Sequence, residues 1–190
     1  MRYKGSTLRE WVESIVIALV LAFFIRTFII QAFKIPTGSM RLTLLEGDRI
    51  LVSKYRYGPK FPFTHYRLPG FIPPKRGDVI VFVYPEDKSK DFIKRLVAVG
   101  GETVEIKDGR IYINGRALED PPFNGIYYYN RGDHGEVGQK IKVEKDHYYV
   151  LGDNSASSRD SRYWGFVPQD FVIGRAELIY WPLHRIRIIK

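Results

Sequence analysis

A run without charge extends from Ser14 to Ile25 (SIVIALVLAFFI); Arg26 interrupts it, and Phe28, Ile29, Ile30, Ala32 and Phe33 continue the apolar character. At about 1.5 Å of rise per residue, a helix over 14–33 crosses a hydrocarbon core of roughly 30 Å. The pattern predicts a transmembrane helix there. Arg26 lies past its middle, where a long side chain reaches the interface. A buried helix of a soluble protein would need apolar contacts on every side, which a body of this size supplies poorly. A cleaved leader would need an A-x-A-like site, and the downstream text QAFKIPTGSM has none. The expected organisation is a short N-terminal segment at 1–13, an uncleaved anchor at 14–33 and one body at 34–190. Arg2, Lys4 and Arg9 precede the span and Lys34, Arg41 and Arg49 follow it, so positive charge leaves the orientation undecided.

After Lys34 the period changes. Short β-branched and aromatic runs alternate with turn residues: Arg49–Ser53, Asp78–Tyr84, Phe92–Val99, Thr103–Lys107, Arg110–Ile113, His147–Leu151 and Glu177–Trp181. Asp108-Gly109 between two of them is a hairpin signal, because a type I′ turn needs positive φ at both positions; Asn114-Gly115 is a further turn. The expected fold is mostly β, an antiparallel sheet of barrel or sandwich character behind one N-terminal helix. Two segments break the pattern. Tyr55 to Pro74 mixes prolines with aromatics and Arg56, Lys60 and Arg67, which suits a packed surface loop or a bilayer interface. Gly152 to Gly165 (GDNSASSRDSRYWG) is dense in Ser, Asp, Asn and Arg, the make-up of a functional loop on a rigid scaffold.

Composition narrows the chemistry. The 190 residues contain no cysteine, which removes disulfides, thiol nucleophiles and cysteine-ligated zinc. The net charge of +9 suits nucleic acid or an anionic membrane surface. The body from residue 34 onward holds 26 basic and 19 acidic residues, dispersed and without a nucleic-acid motif, so the membrane is favoured.

In Ile35-Pro36-Thr37-Gly38-Ser39-Met40, Pro36 holds Ile35 extended and Gly38 permits a close bend, so Ser39 can project as nucleophiles do; alone it reads as an ordinary turn serine. A serine needs a base. His65, His134, His147 and His184 carry no motif, although a triad assembles in space rather than in sequence. Lys94 is the other candidate. Alternation along Phe92–Val99 sets Phe92, Lys94, Leu96 and Ala98 on one face and Ile93, Arg95, Val97 and Val99 on the other. One of Lys94 and Arg95 therefore faces an apolar surface. Burial lowers a lysine pKa and makes it a base near pH 7, whereas arginine stays protonated. Ser155, Ser157, Ser158 and Ser161 are candidates to orient that lysine, and Asp160 can pair with Arg162 or Arg95.

The ordered blocks IPTGSM, LLEGDRILVSK, RGDVIVF, FIKRLVAVGGETVEI and GDNSASSRDSRYWGFVPQDFVIGRA, behind an N-terminal span, resemble bacterial type I signal peptidases, membrane-anchored Ser/Lys proteases, over nearly the whole chain. The resemblance implies Ser39 as nucleophile and Lys94 as general base, largely neutral at working pH. It implies an oxyanion hole from the Thr37 hydroxyl and the Ser39 N–H, and Ser158 as the serine that orients the lysine. Asp160 and Arg162 match a supporting ion pair, with Arg95 expected to help hold that network. Phe33, Ile35, Pro36, Met40, Leu44, Phe92 and Ile93 match positions lining shallow pockets for small side chains at −1 and −3. It also implies preprotein substrates with Ala-x-Ala-like sites, indirect dealings with the secretion machinery, no metal or cofactor, and a body on the extracytoplasmic side of the cytoplasmic membrane with the N-terminus inside. Departures are Leu42, where the family has proline after S-M-x, Thr37 where many members have serine, and GDNSASSRD in place of a more typical GDN-R-D-N-S-x-D. A tethered module that binds signal peptides without cutting is the alternative. Such a relative should lack Ser39 or Lys94, and both are present.

Overall fold

The computed structural model describes residues 4–61, 64 and 66–190; Met1–Tyr3, Pro62, Phe63 and His65, one of the candidate bases, lie outside the described residues. Helix α1 runs Lys4–Phe24 and ends in a π-helical turn, Ile25–Ile29. Thr7–Ile29 is long and apolar enough to cross a membrane, with a mean hydropathy of 2.3, and none of its most apolar stretch is buried against the body. The helix is not packed into the core of the body. The apolar stretch does not stay helical to Phe33. Ile30–Lys34 forms strand β1, antiparallel to β2 (Arg49–Ser53), with Ile30 opposite Ser53 and Lys34 opposite Arg49. Hydropathy cannot separate a helix end from a short strand. Here the ladder to β2 and the inward side chains Gln31 and Phe33 decide it.

The remaining strands are β3 (Val79–Val83), β4 (Asp91–Val99), β5 (Thr103–Lys107), β6 (Arg110–Ile113), β7 (Arg116–Ala117), β8 (Lys140–Lys142), β9 (His147–Leu151), β10 (Val167–Pro168), β11 (Val172–Trp181) and β12 (Arg187–Ile188). The short helix α2 spans Ser161–Trp164. The large sheet has the order β1-β2-β11-β3-β4-β9-β10, with β12 beside β11; a second sheet has the order β7-β6-β5-β8. Every pairing in both sheets is antiparallel. Asp108 and Gly109 both take positive φ, as do Asn114 and Gly115, so both hairpin turns form as the sequence predicts.

Strand β3 reads as an unbroken apolar run because both its faces are covered. Val79 and Val81 join a cluster with Ile35, Met40, Leu44 and Ile50, while Ile80 and Phe82 join another with Leu96 and Val150. A third cluster fills the space between the two sheets, with Val97, Ala98, Tyr149 and Leu151 facing Val104, Ile106, Ile111 and Ile113. Strict alternation along β4 fails at one point. The register against β9 slips between Leu96 and Ala98, so Ala98 turns with Val97 into the inter-sheet core and Val99 packs with the opposite cluster. A β-bulge has this effect, redirecting the side chains that follow it.

Candidate active site

Ser39 sits in a 3-10 turn, Gly38–Met40, entered from Pro36 and Thr37. The incoming segment is fixed by two backbone bonds, Ile35 N–H to the Asp48 carbonyl at 2.9 Å and Gly47 N–H to the Ile35 carbonyl at 2.8 Å. From the far side, Asn154 clamps the turn. Its backbone N–H donates to the Ser39 carbonyl and its side-chain amide to the Gly38 carbonyl, both at 3.0 Å. Gly152 lets these segments meet, since a Cβ there would collide with the Ser39 carbonyl and the Ser158 hydroxyl.

Strand β4 delivers Lys94 to this turn. Its Nζ lies 2.7 Å from Ser39 Oγ and donates to the Ile93 carbonyl at 3.0 Å. It also sits 5.3 Å from the centre of the Phe92 ring, which is stacked on Tyr84 and edged by Trp164. Lys94 is 4 % exposed and Ser39 9 %. Burial lowers the Lys94 pKa from 10.5 to about 8; the charges of Asp160 and Asp153 oppose the fall and that of Arg162 adds to it. The lowering runs in the direction that a neutral lysine requires. A pKa of about 8 leaves roughly a tenth of Lys94 neutral at pH 7 and about half at pH 8.

Arg95, the next residue, is also buried, at 1 %. It was expected to support Asp160 and Arg162, and it does not. It pairs with Asp153 through Nε at 2.8 Å and Nη2 at 2.7 Å, and donates to the Gly77 and Lys190 carbonyls and Thr43 Oγ1. The reason is direction: side chains at 94 and 95 leave opposite faces of β4. The Asp160–Arg162 pair is present and sealed, with Nε–Oδ1 at 2.7 Å and Nη2–Oδ2 at 2.8 Å. Asp160 also accepts the Gly152 N–H, and Arg162 holds Ser155 and the Tyr129 carbonyl. These bonds fix the loop that carries Asn154 and Ser158.

Ser158 is buried beside Gly152, but its hydroxyl has no hydrogen-bond partner among the described residues. The expected Ser158–Lys94 bond is not made; the Ile93 carbonyl holds the ammonium instead. Thr37 is exposed at the mouth of the turn, with its side chain capping nothing. Phe33, Ile35, Pro36, Phe92 and Ile93 line one small cavity of about 40 Å³, together with Ile50 and Val81. Met40 and Leu44 do not line it. Both are fully buried in the core cluster behind it, because the 3-10 turn points Met40 inward. His147 lies against Glu144 and Lys145, His134 against Phe166, and His184 in the turn after β11, and none is hydrogen-bonded to Ser39. Asp153 and Asn154 went unnoticed by sequence reasoning. The only signal was their place after Gly152 in a polar loop. Among the described residues no group of three His, Asp or Glu could hold a metal.

Comparison with known proteins identifies the family. The model of the family described as "Signal peptidase, peptidase S26" matches residues 8–181. The signal peptidase I of Leptolyngbya laminosa is 39 % identical over 95 % of this chain and 83 % of its own length. The signal peptidase I of Pseudomonas aeruginosa is 33 % identical over 94 % and 75 %. Signal peptidase I P of Bacillus subtilis subsp. natto is 34 % identical over 98 % and 96 %. A solved signal peptidase I from Enterococcus faecalis is 35 % identical and superposes with a TM-score of 0.45 over 54 % of this chain and 95 % of that one. With the matched region running from the apolar helix to the end of β11, the chain belongs to the signal peptidase family, peptidase S26.

Proposed function

We propose that Ser39 and Lys94 are the nucleophile and general base with which this signal peptidase removes signal peptides from preproteins. The observation that carries the reading is the buried 2.7 Å contact between Lys94 Nζ and Ser39 Oγ. Neutral Nζ accepts the hydroxyl proton as Oγ attacks the scissile carbonyl. The cleavage segment lies extended between β4 at Phe92–Lys94 and the Lys34–Thr37 segment, adding a strand to the site. The cavity of about 40 Å³ admits a side chain no larger than a methyl or two, which favours alanine at −1 and −3. The Thr37 hydroxyl and the Ser39 N–H donate to the oxyanion, worth roughly 3 kcal/mol for each donor. The protonated lysine returns its proton to the leaving amine, which departs with the mature chain. The signal peptide stays as an ester on Ser39 until Lys94 activates water to release it. Ser158, whose buried hydroxyl has no partner among the described residues, positions Lys94 during these steps by accepting a hydrogen bond from Nζ. Asp160 and Arg162 hold the Ser158 loop.

The substrate's cut site emerges from the bilayer at its outer face. The reading therefore places helix α1 across the cytoplasmic membrane with its N-terminus inside and the body outside, receiving preproteins after the secretion machinery. The test is cleavage of a preprotein bearing an Ala-x-Ala site by the full chain in detergent. A single cut after the −1 alanine is expected, lost in both Ser39→Ala and Lys94→Met. Cutting that survives Ser39→Ala would remove the nucleophile from this serine.

A further inference from the structure

A second cavity, of about 170 Å³, lies where the anchor meets the body. Thr27 and Gln31 line it from the helix exit, and Lys54, Lys60 and Arg67 supply its charge, against Asp91 and Asp170. The cations outnumber the acids, and they are incompletely satisfied. Lys54 is half-buried; among the described residues its Nζ donates to the Arg26 carbonyl, at 3.2 Å, and pairs with no carboxylate. Arg67 directs its terminal nitrogens to the carbonyls of Tyr57, Gly58, Asp170 and Val172, none of them a carboxylate. Its Nε is buried with no partner among the described residues. Asp170 is held only loosely by Lys60, at 3.7 Å. Burial and the nearby Arg26 charge lower the Lys54 pKa, as expected where positive charge faces positive charge with too little anion between.

Position supplies the second argument. Thr27 lies in the last turn of the apolar helix. At the same level the Phe28 and Phe61 rings meet edge to face at 5.2 Å, and Phe61 lies 6.0 Å from Tyr66. Aromatic side chains gathered at the end of a span mark the headgroup layer, where lipid phosphates sit. With the apolar helix read as a membrane anchor, we propose that this cleft binds the phosphate of an anionic phospholipid from the adjoining leaflet, with Lys54, Lys60 and Arg67 as its donors. A phosphate there would accept from the free N–H groups and neutralise the excess cation. Because Asp91 borders both this cleft and the small cavity lined by Phe92 and Ile93, the bound lipid would tie that edge of β4 to the bilayer surface.

Native mass spectrometry of the full chain, released from zwitterionic detergent, tests this with dihexanoyl phosphatidylglycerol, dihexanoyl phosphatidylcholine and inorganic phosphate as probes. Phosphatidylglycerol should bind more tightly than either of the others. Lys54→Gln and Lys60→Gln should each weaken it about fivefold. The pair Lys140→Gln/Lys142→Gln, which removes twice the charge of either single variant from the exposed β8, should leave it unchanged. Unchanged cleavage of a soluble peptide by Lys54→Gln would show that the fold and the Ser39 site are intact, so this test and the catalytic one fail separately. The proposal is overturned if phosphatidylglycerol binds no better than phosphatidylcholine, or if the β8 pair weakens it equally. It is also overturned if inorganic phosphate binds as tightly as the lipid, which would make the cleft a free-anion site. A raised KM for soluble peptide in Lys54→Gln, with lipid binding intact, would assign the cleft to substrate instead.

Discussion

Lys94 and Arg95 are neighbours on β4, both sealed from water, and the protein surrounds them in opposite ways. Arg95 has a bidentate carboxylate, two backbone carbonyls and a threonine hydroxyl. Lys94 has one carbonyl, one hydroxyl and an aromatic ring, with no carboxylate in contact. A buried cation surrounded as Arg95 is keeps its charge and fixes the fold. One placed as Lys94 is sheds its proton more readily, and among the described residues the hydroxyl it contacts is that of Ser39. Burial alone therefore does not separate the two cations; burial without a carboxylate in contact does, and it singles out the proposed base.

The sharpest way to break this contrast is Lys94→Arg. It retains length and charge and removes the ability to deprotonate, so kcat/KM should fall by at least about 10³-fold while the protein still folds. Cleavage within tenfold of wild type would mean that no base is needed at 94. The converse change, Asp153→Ala, should leave kcat close to wild type in the folded fraction but cost about 3–5 kcal/mol of stability, because Arg95 is left charged and unpaired. Chemical denaturation of the full chain in detergent reads this, and a loss under about 1 kcal/mol would make the pair dispensable.

Stability and pH sharpen it further. Below pH 8 Lys94 is protonated in both the folded and unfolded states, and the folded state bears the burden of a buried ammonium. Between about 8 and 10.5 the folded state sheds the proton first, so stability rises with pH across that window. Lys94→Met removes the burden and should be more stable than wild type at pH 7 by about 3 kcal/mol, with the gap closing as pH rises towards 10.5. Denaturation curves at pH 7 and pH 10 check the sign. The smallest expected effect belongs to Ser158→Ala, about a tenfold fall in kcat with KM held and the activity midpoint moved in pH. A purely structural serine would lower stability and leave the pH profile in place.

Much of this was legible in the residues. Strands β2, β5, β6 and β9 fall at the expected boundaries, because alternating apolar runs between turn residues have few other ways to bury their faces. Strand β1 was hidden inside the hydropathy of the anchor. The first half of β11 was hidden by Gly174, which reads as a breaker; the structure needs it there because a Cβ would strike the Ser53 carbonyl of β2. Strands β7, β8, β10 and β12 are only two or three residues long, so no periodicity could announce them. Within the site, Ser39 and Lys94 were singled out from the sequence, while the partner of Arg95 was not. The bulge between Leu96 and Ala98 and the separation of Asp153 from Asp160 are facts of three-dimensional register. Leu42, at the place where the resembling family has proline, takes φ +93°, a backbone that proline's fixed φ forbids. The turn after Met40 therefore follows its own path while the Lys94–Ser39 contact is made.

The most direct test of the central claim is the titration of the Lys94 side chain itself, followed by nitrogen-detected NMR of the full chain labelled at lysine. A midpoint near pH 8, apart from the other lysines, is the predicted result. A midpoint near the ordinary lysine value of about 10.4 would show that burial leaves the ammonium intact, and the proposed base would be lost with it.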